Sequence, residues 1–330
     1  MELPLAGLID AINMLPRRLE MGRGQSIQLP NGYYTPGFVA ILAAFLRHNR
    51  LPKESFSCHH EKHDGYLKAL ALSKAVWGTD DYKQRRINAG NTYAPITHVS
   101  SREAVDAGTG QINGCLRAMA ESSSVRYLES PAFGELLAVV GELHDNVWSH
   151  GLESGFSTAQ RRLCQQDGPV IEFSLADCGM GFRSELQRAR VPGIATDQDA
   201  IEWCIQKGNS SKLAVQEDPW AQSVPEDHLG GAPFGRGVAT FQNTGNHHQG
   251  LGLAKLVSLA RQYDGHLYLA SGTHYLELNQ GISSYRQLSH PWHGVAISLA
   301  IKESSFVVGG EPVQDVDSQD VFEIMKALRG

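Results

Sequence analysis

Apolar and polar positions along this chain alternate with two periods, and each stretch of one period predicts an element. Ser26, Ile27, Gln28 and Leu29 read as a short strand, closed by Pro30 and a turn at Gly32, Tyr33 and Tyr34. Thr35 is an N-cap ahead of Pro36, and Phe38, Ile41, Leu42, Phe45 and Leu46 then recur at helical spacing, which predicts a helix with one buried face. Residues 55–60 predict the next strand and residues 66–77 an amphipathic helix stopped by Gly78. The order βαβα favours a small α/β layer. Residues 91–101 read as extended and residues 107–120 as helical in spite of Gly108, Gly110 and Gly114. Ser130 and Pro131 open a strong helix running to about Gly151, with Leu136, Val140, Leu143 and Val147 as its apolar stripe. Residues 170–176 predict an inner strand with Asp177 at its end, and residues 294–300 a last strand. Residues 207–250 are rich in Gly, Asn, Ser, Pro and His without periodicity. That is far longer than the ~4–6-residue median of connections, and it predicts a lid.

Three hundred and thirty residues predict two units, with 42% hydrophobic and 19% charged residues excluding a disordered chain for most of its length. The 29 Lys plus Arg against 35 Asp plus Glu leave a formal charge of −6, so no global positive field draws the chain to nucleic acid or anionic lipid. Cys58, Cys115, Cys164, Cys178 and Cys204 show no pairing rhythm and no CxxC, as expected in a reducing cytosol. No run reaches the ~18 apolar residues that cross a bilayer, and no leader pattern opens the chain. The expected location is cytoplasmic, with neither membrane nor nucleic acid as partner.

Three stretches carry chemistry. In the first, ELHDNVWSH, Glu142, Asn146 and His150 stand four apart and form a polar line along one edge of the helix, beside its apolar stripe. Such groups are costly to desolvate unless something polar occupies them, although a helix edge at the water boundary would also carry them. In the second, DCGMG, Asp177 stands at a strand end where a carboxylate can accept from an amino group, and Gly179 and Gly181 allow close approach to a flat ring. An Asx turn explains the same residues without a ligand. In the third, GLGL, Gly250, Leu251, Gly252 and Leu253 lead into a helix with Leu256, Val257 and Ala260 and a stop at Gly265. The free N–H groups and positive dipole end of such a helix favour phosphate, although a flexible turn into a helix explains the same residues without a ligand.

In order and spacing the three stretches resemble the N, G1 and G2 boxes of the GHKL ATP-binding superfamily, most nearly its histidine-kinase members; GLGLAKLVSLARQYDGHLYL is similar to their G2 box, following helix and strand. The resemblance covers about residues 131–302. It implies an α/β (α+β sandwich) architecture: a Bergerat-fold mixed sheet with helices on one face, preceded by a small α/β domain. The divisions expected are a regulatory or partner-binding domain at 1–125, faintly similar to STAS domains, an ATP-binding domain at 126–305, and a tail at 306–330. ATP and Mg²⁺ are the implied cofactors. By the same resemblance Asp177 would bind the adenine amino group, with Gly179 and Gly181 shaping the pocket. Asn146 would hold Mg²⁺, while Gly250, Leu251, Gly252 and Leu253 would hold the phosphates. Glu142 would act as general base and His150 would sit at the nucleotide, although it could equally cap the helix.

The implied activity is slow ATP hydrolysis with lid closure as a signalling or conformational switch. Its rivals are a protein kinase acting on a separate protein and a nucleotide sensor without chemistry. A protein partner is expected through the N-terminal domain or the lid. Val295 replaces a Thr that often supports the adenine-binding Asp, and no N-terminal pair of long helices carries a phospho-accepting histidine, so autophosphorylation is unsupported. Lys212 and Arg236 are candidate γ-phosphate cations and Phe234 a candidate nucleotide cover. Cys58, His59, His60 and His63 are ligand-type residues whose spacing fits no standard zinc pattern.

Overall fold

Short connections decide the sheet. The structure is a computed structural model that describes residues 5–20, 26–58, 60–148, 154–164, 168–209 and 252–308. In chain order its elements are β1 (Leu5–Ala6), α1 (Leu8–Glu20), β2 (Ile27–Gln28), β3 (Tyr33–Tyr34), α2 (Pro36–His48), β4 (Phe56–Ser57), α3 (Glu61–Ala69), α4 (Leu72–Trp77), β5 (Thr97–Val99) and α5 (Arg102–Glu121). They continue with α6 (Pro131–Asn146), β6 (Gly155–Cys164), β7 (Gly168–Asp177), α7 (Gly181–Arg188), α8 (Asp197–Cys204), α9 (Gly252–Gln262), β8 (His266–Asn279), β9 (Ile282–Lys302) and α10 (Ser305–Val308). The architecture is α/β, as expected.

Strands β5 to β9 form one sheet in the order β5-β6-β7-β9-β8, and every neighbouring pair is antiparallel. This corrects the expected mixed sheet. β6 is followed by β7 and β8 by β9 after two or three residues, and links that short permit only antiparallel pairing. Among the described residues, parallel pairing is limited to two ladders of two residues, β1 with β3 and β2 with β4, and one isolated bridge, Ala89 with Tyr93. The βαβα stretch therefore forms these two small ladders rather than one sheet of its own.

The alternation of side chains along each strand separates two cores. On one face Ala159, Ile171, Phe173, Leu175, Ile297 and Leu299 pack with residues of α5, α6, α8 and α9, among them Ile112, Phe133, Val140, Ile201 and Leu256. On the other, Phe156, Ala176, Ala270 and Ala296 pack with Leu8, Ile12, Phe38, Ile41 and Leu42 of α1 and α2. Helices thus cover both faces, not one. The chain expected as residues 1–125 divides between them: α1 and α2 lie on one side, while β5 extends the sheet and α5 packs on the other.

Helix α2 is buried from Pro36 through Leu46 and reaches solvent only at Arg47 and His48. It can lie that close because the sheet beneath presents small side chains. A Cβ on Gly37 would stand 2.9 Å from Leu8 Cβ and 3.2 Å from Ser298 Cβ, closer than a larger residue tolerates. Each Leu, Ile or Phe fully buried here contributes ~1.5–3 kcal/mol. Glu172 is also buried beneath α2; its Oε1 accepts from Gly37 N at 3.2 Å and from Ser298 Oγ at 2.8 Å. A carboxylate at a helix start is favoured by the macrodipole and by the orphan amides.

Three other boundaries differ from the expected ones. The helix expected over 66–77 is two, α3 and α4, broken at Ala71, whose φ of 61° is left-handed. Helix α5 begins five residues earlier than expected, because Ser101 Oγ accepts from Ala104 N and caps it. Its Gly108 is needed for packing: a Cβ there would stand 2.8 Å from Thr97 Cγ2. Helix α6 starts where Ser130 and Pro131 place it, with Ser130 Oγ accepting from Phe133 N, and it closes at Asn146. The last turn expected up to 151 falls partly outside the described residues. So does most of the 306–330 tail, of which Phe306 is buried against Tyr127 and Phe133.

Candidate functional site

Of the expected site residues, Glu142, Asn146, Asp177 and Gly252 come together where β7 and α6 end and α9 begins. Asp177 is the last residue of β7 and is 6% exposed. It pairs with Gly155, the first residue of β6. A Cβ on Gly155 would stand 2.9 Å from Val147 Cγ1, so this glycine lets the end of α6 rest on the strand beside Asp177. One residue before Val147, Asn146 meets α9: a Cβ on Gly252 would lie 3.8 Å from Asn146 Nδ2 and 3.1 Å from both Cβ and Oε2 of Glu142. The three stretches of sequence are therefore neighbours in space.

Asp177 holds its own loop. Its Oδ1 accepts from Gly179 N at 2.8 Å and from Val295 N at 3.3 Å. The Asx-turn role is real, and support from the last strand comes through a main-chain amide, which Val295 supplies as well as any residue. Gly181 opens α7 with φ 73°, and Ser271 Oγ stitches the loop to the sheet, accepting from Phe182 N at 3.1 Å and donating to Gly294 O at 2.9 Å. Gly294 has φ 102°, and a Cβ on it would lie 2.4 Å from Asp177 O, 2.5 Å from Asp177 Oδ1 and 2.7 Å from Gly179 N. Residues 294–300 suggested a strand, but nothing in one sequence marks its first glycine as a floor for Asp177.

Glu142 is held differently from the expectation of a base open to water. Lys255, three residues into α9 after Gly252, donates from Nζ to Glu142 Oε1 at 2.5 Å. Glu142 Oε2 is buried without a hydrogen-bond partner among the described residues. Leu253, expected at the phosphates, turns its side chain toward the core. Its amide lies in the first turn of α9, where N–H groups have no intrahelical acceptor. His150, Gly250, Leu251, Lys212, Phe234 and Arg236 lie outside the described residues, as does nearly all of the expected lid.

His144, within the same motif, belongs to the core face. It is 0% exposed, its Nδ1 lies 2.9 Å from Thr109 Oγ1, and its ring faces Phe173. Burial pushes its pKa down from 6.5 to about 4, so the folded protein keeps it neutral. A depressed histidine pKa means that the unfolded chain binds the proton first, so stability is complete above 6.5 and falls as the pH drops toward 4. The loss expected from this group is roughly 3 kcal/mol. Urea unfolding at pH 7 and pH 4.5 checks it: His144→Met should flatten the difference, and an unchanged difference would assign the acid sensitivity elsewhere.

Among the described residues no group of three or more His, Cys, Asp or Glu side chains is arranged to hold a metal, and no helix is long and apolar enough to cross a membrane. No family model, curated protein or solved structure matches this chain.

Proposed function

We propose that this chain binds a purine nucleoside triphosphate, ATP with Mg²⁺, at the junction of β7, α6 and α9, as a GHKL module with a Bergerat-type fold, and that it hydrolyses the nucleotide slowly. One observation carries the reading: Gly252, the first residue of α9, lies directly against Glu142 and Asn146, whose helix ends beside Asp177. The residue types suit the parts of the ligand. Asp177 is a carboxylate acceptor for an exocyclic amino group, and the first turn of α9, whose amides have no acceptor within the helix, takes phosphate. The orphaned Glu142 Oε2 and the side-chain amide of Asn146 at the same mouth are fit oxygen donors near a metal–phosphate group. Bound Mg²⁺ would supply charge neutralisation on the phosphates.

In hydrolysis Glu142 accepts a proton from water as the water oxygen bonds to the γ-phosphorus and the bond to the bridging oxygen breaks, leaving ADP and phosphate. A protein partner reads the nucleotide state in this proposal through the N-terminal layer, where α2 rests on the strand that ends in Asp177. A sensor that binds without turnover is the second reading, favoured by one contact: Lys255 already occupies Glu142 Oε1.

Calorimetry with ATP and GTP, with and without Mg²⁺, tests the binding. Asp177→Asn preserves the oxygen that accepts from Gly179 but turns the second acceptor into an NH₂ donor, so it should weaken ATP at least ~10-fold while the fold persists. Normal ATP affinity in Asp177→Asn would end the pocket assignment. Phosphate release from labelled ATP separates slow hydrolysis from sensing, and label transferred to added protein would instead identify a kinase.

A further inference from the structure

Lys255 occupies an unusual place. The first turn of a helix carries the positive end of its dipole and ordinarily favours acidic side chains, yet here it bears an ammonium whose side chain is 39% exposed. Glu142 is the counter-charge that permits it. That carboxylate side chain is only 9% exposed, and its Oε2, unpartnered among the described residues, faces the mouth of the same helix, 3.1 Å from where a Gly252 Cβ would be. First-turn amides that have no acceptor within their own helix, a reachable ammonium and a buried carboxylate with one oxygen unpartnered among the described residues thus meet at one point. An anionic group arriving there finds donors that Glu142 uses only in part.

We infer that Lys255 grips the terminal phosphate of a bound nucleoside triphosphate and bridges it to Glu142, so that the site prefers a triphosphate to a diphosphate; this rests on the nucleotide reading above. An ammonium has three donors and Glu142 takes one. Bridging is favoured over exchange because a lysine that left Glu142 would strand a buried charge. The side chain is long enough and exposed enough to turn outward, whereas the carboxylate is anchored in the helix layer. No residue type or spacing in the motif itself announces Lys255.

The test compares ATP and ADP binding by calorimetry in the full chain. Lys255→Met should weaken ATP by about tenfold and ADP by less than about twofold, the loss of one charge-assisted hydrogen bond to the last phosphate. Because that variant leaves Glu142 unpaired, the same comparison is made between Glu142→Gln and the double variant Glu142→Gln/Lys255→Met, in which no buried charge is stranded. Selective loss of ATP in either background supports the bridge. Equal losses for ATP and ADP, or none, would reduce Lys255 to a counter-ion of Glu142 while leaving nucleotide binding intact. A wild-type chain that binds neither nucleotide would overturn the nucleotide reading and this inference together.

Discussion

Gly294→Ala should destabilise the fold by roughly 3–5 kcal/mol and abolish whatever binding depends on Asp177. Two effects add. The backbone at φ 102° suits glycine alone, and the new Cβ would be driven to 2.4–2.7 Å from Asp177 O, Asp177 Oδ1 and Gly179 N. Two of those three atoms belong to the backbone, so a rotamer change cannot relieve the contact. Gly281→Ala separates the terms, since Gly281 has φ 74° but nothing within 4 Å of its would-be Cβ; strain alone there should cost ~1 kcal/mol. Urea denaturation of both variants is the measurement. Equal costs at the two positions would mean that the Asp177 loop yields freely and is no rigid floor for a ligand.

Glu172→Ala should cost about 3–5 kcal/mol, because it removes a buried carboxylate from several partners at once. Arg162 Nε, 3.5 Å from Oε2, would lose its counter-charge, and Gly37 N and Ser298 Oγ would lose their acceptor. The lost contacts are those that seat the start of α2 on the sheet. Early proteolysis should therefore fall in residues 5–48 before the sheet is cut. Glu172→Gln keeps an acceptor oxygen for Gly37 and Ser298 and should cost about 1 kcal/mol. If alanine and glutamine are equally mild, α2 is held by its apolar contacts and the carboxylate is incidental.

Legibility varied with the range of the interaction concerned. The N-terminus of α6 was readable because Ser130 and Pro131 act on the turn that follows them, and Ser130 caps it as the residue types predict. Asp177 was readable as a strand end for the same reason. Ala71 was not: neither Leu70 nor Leu72 announces a left-handed residue between them, and both are buried on either side of the break. The spacing around Glu142 predicts a polar edge, and Glu142 and Asn146 lie on it, both half-buried. His144 is not marked there, because an imidazole neutralised by burial looks the same in a sequence as one in water. Lys255 and Gly294 escaped for a different reason. Each matters only through a residue more than 100 positions away, Glu142 and Asp177 respectively.

Local chemistry along the chain determined α2, the start of α6, the strand that ends in Asp177 and the identity of three polar stretches, since capping, periodicity and glycine placement act within a few residues. Tertiary packing alone decided that α1 and α2 cover the second face of the sheet, in what order its strands lie, and that a lysine neutralises the buried glutamate. Those outcomes depend on which surfaces fit and which charges must be matched once water is excluded, and a linear pattern carries neither quantity.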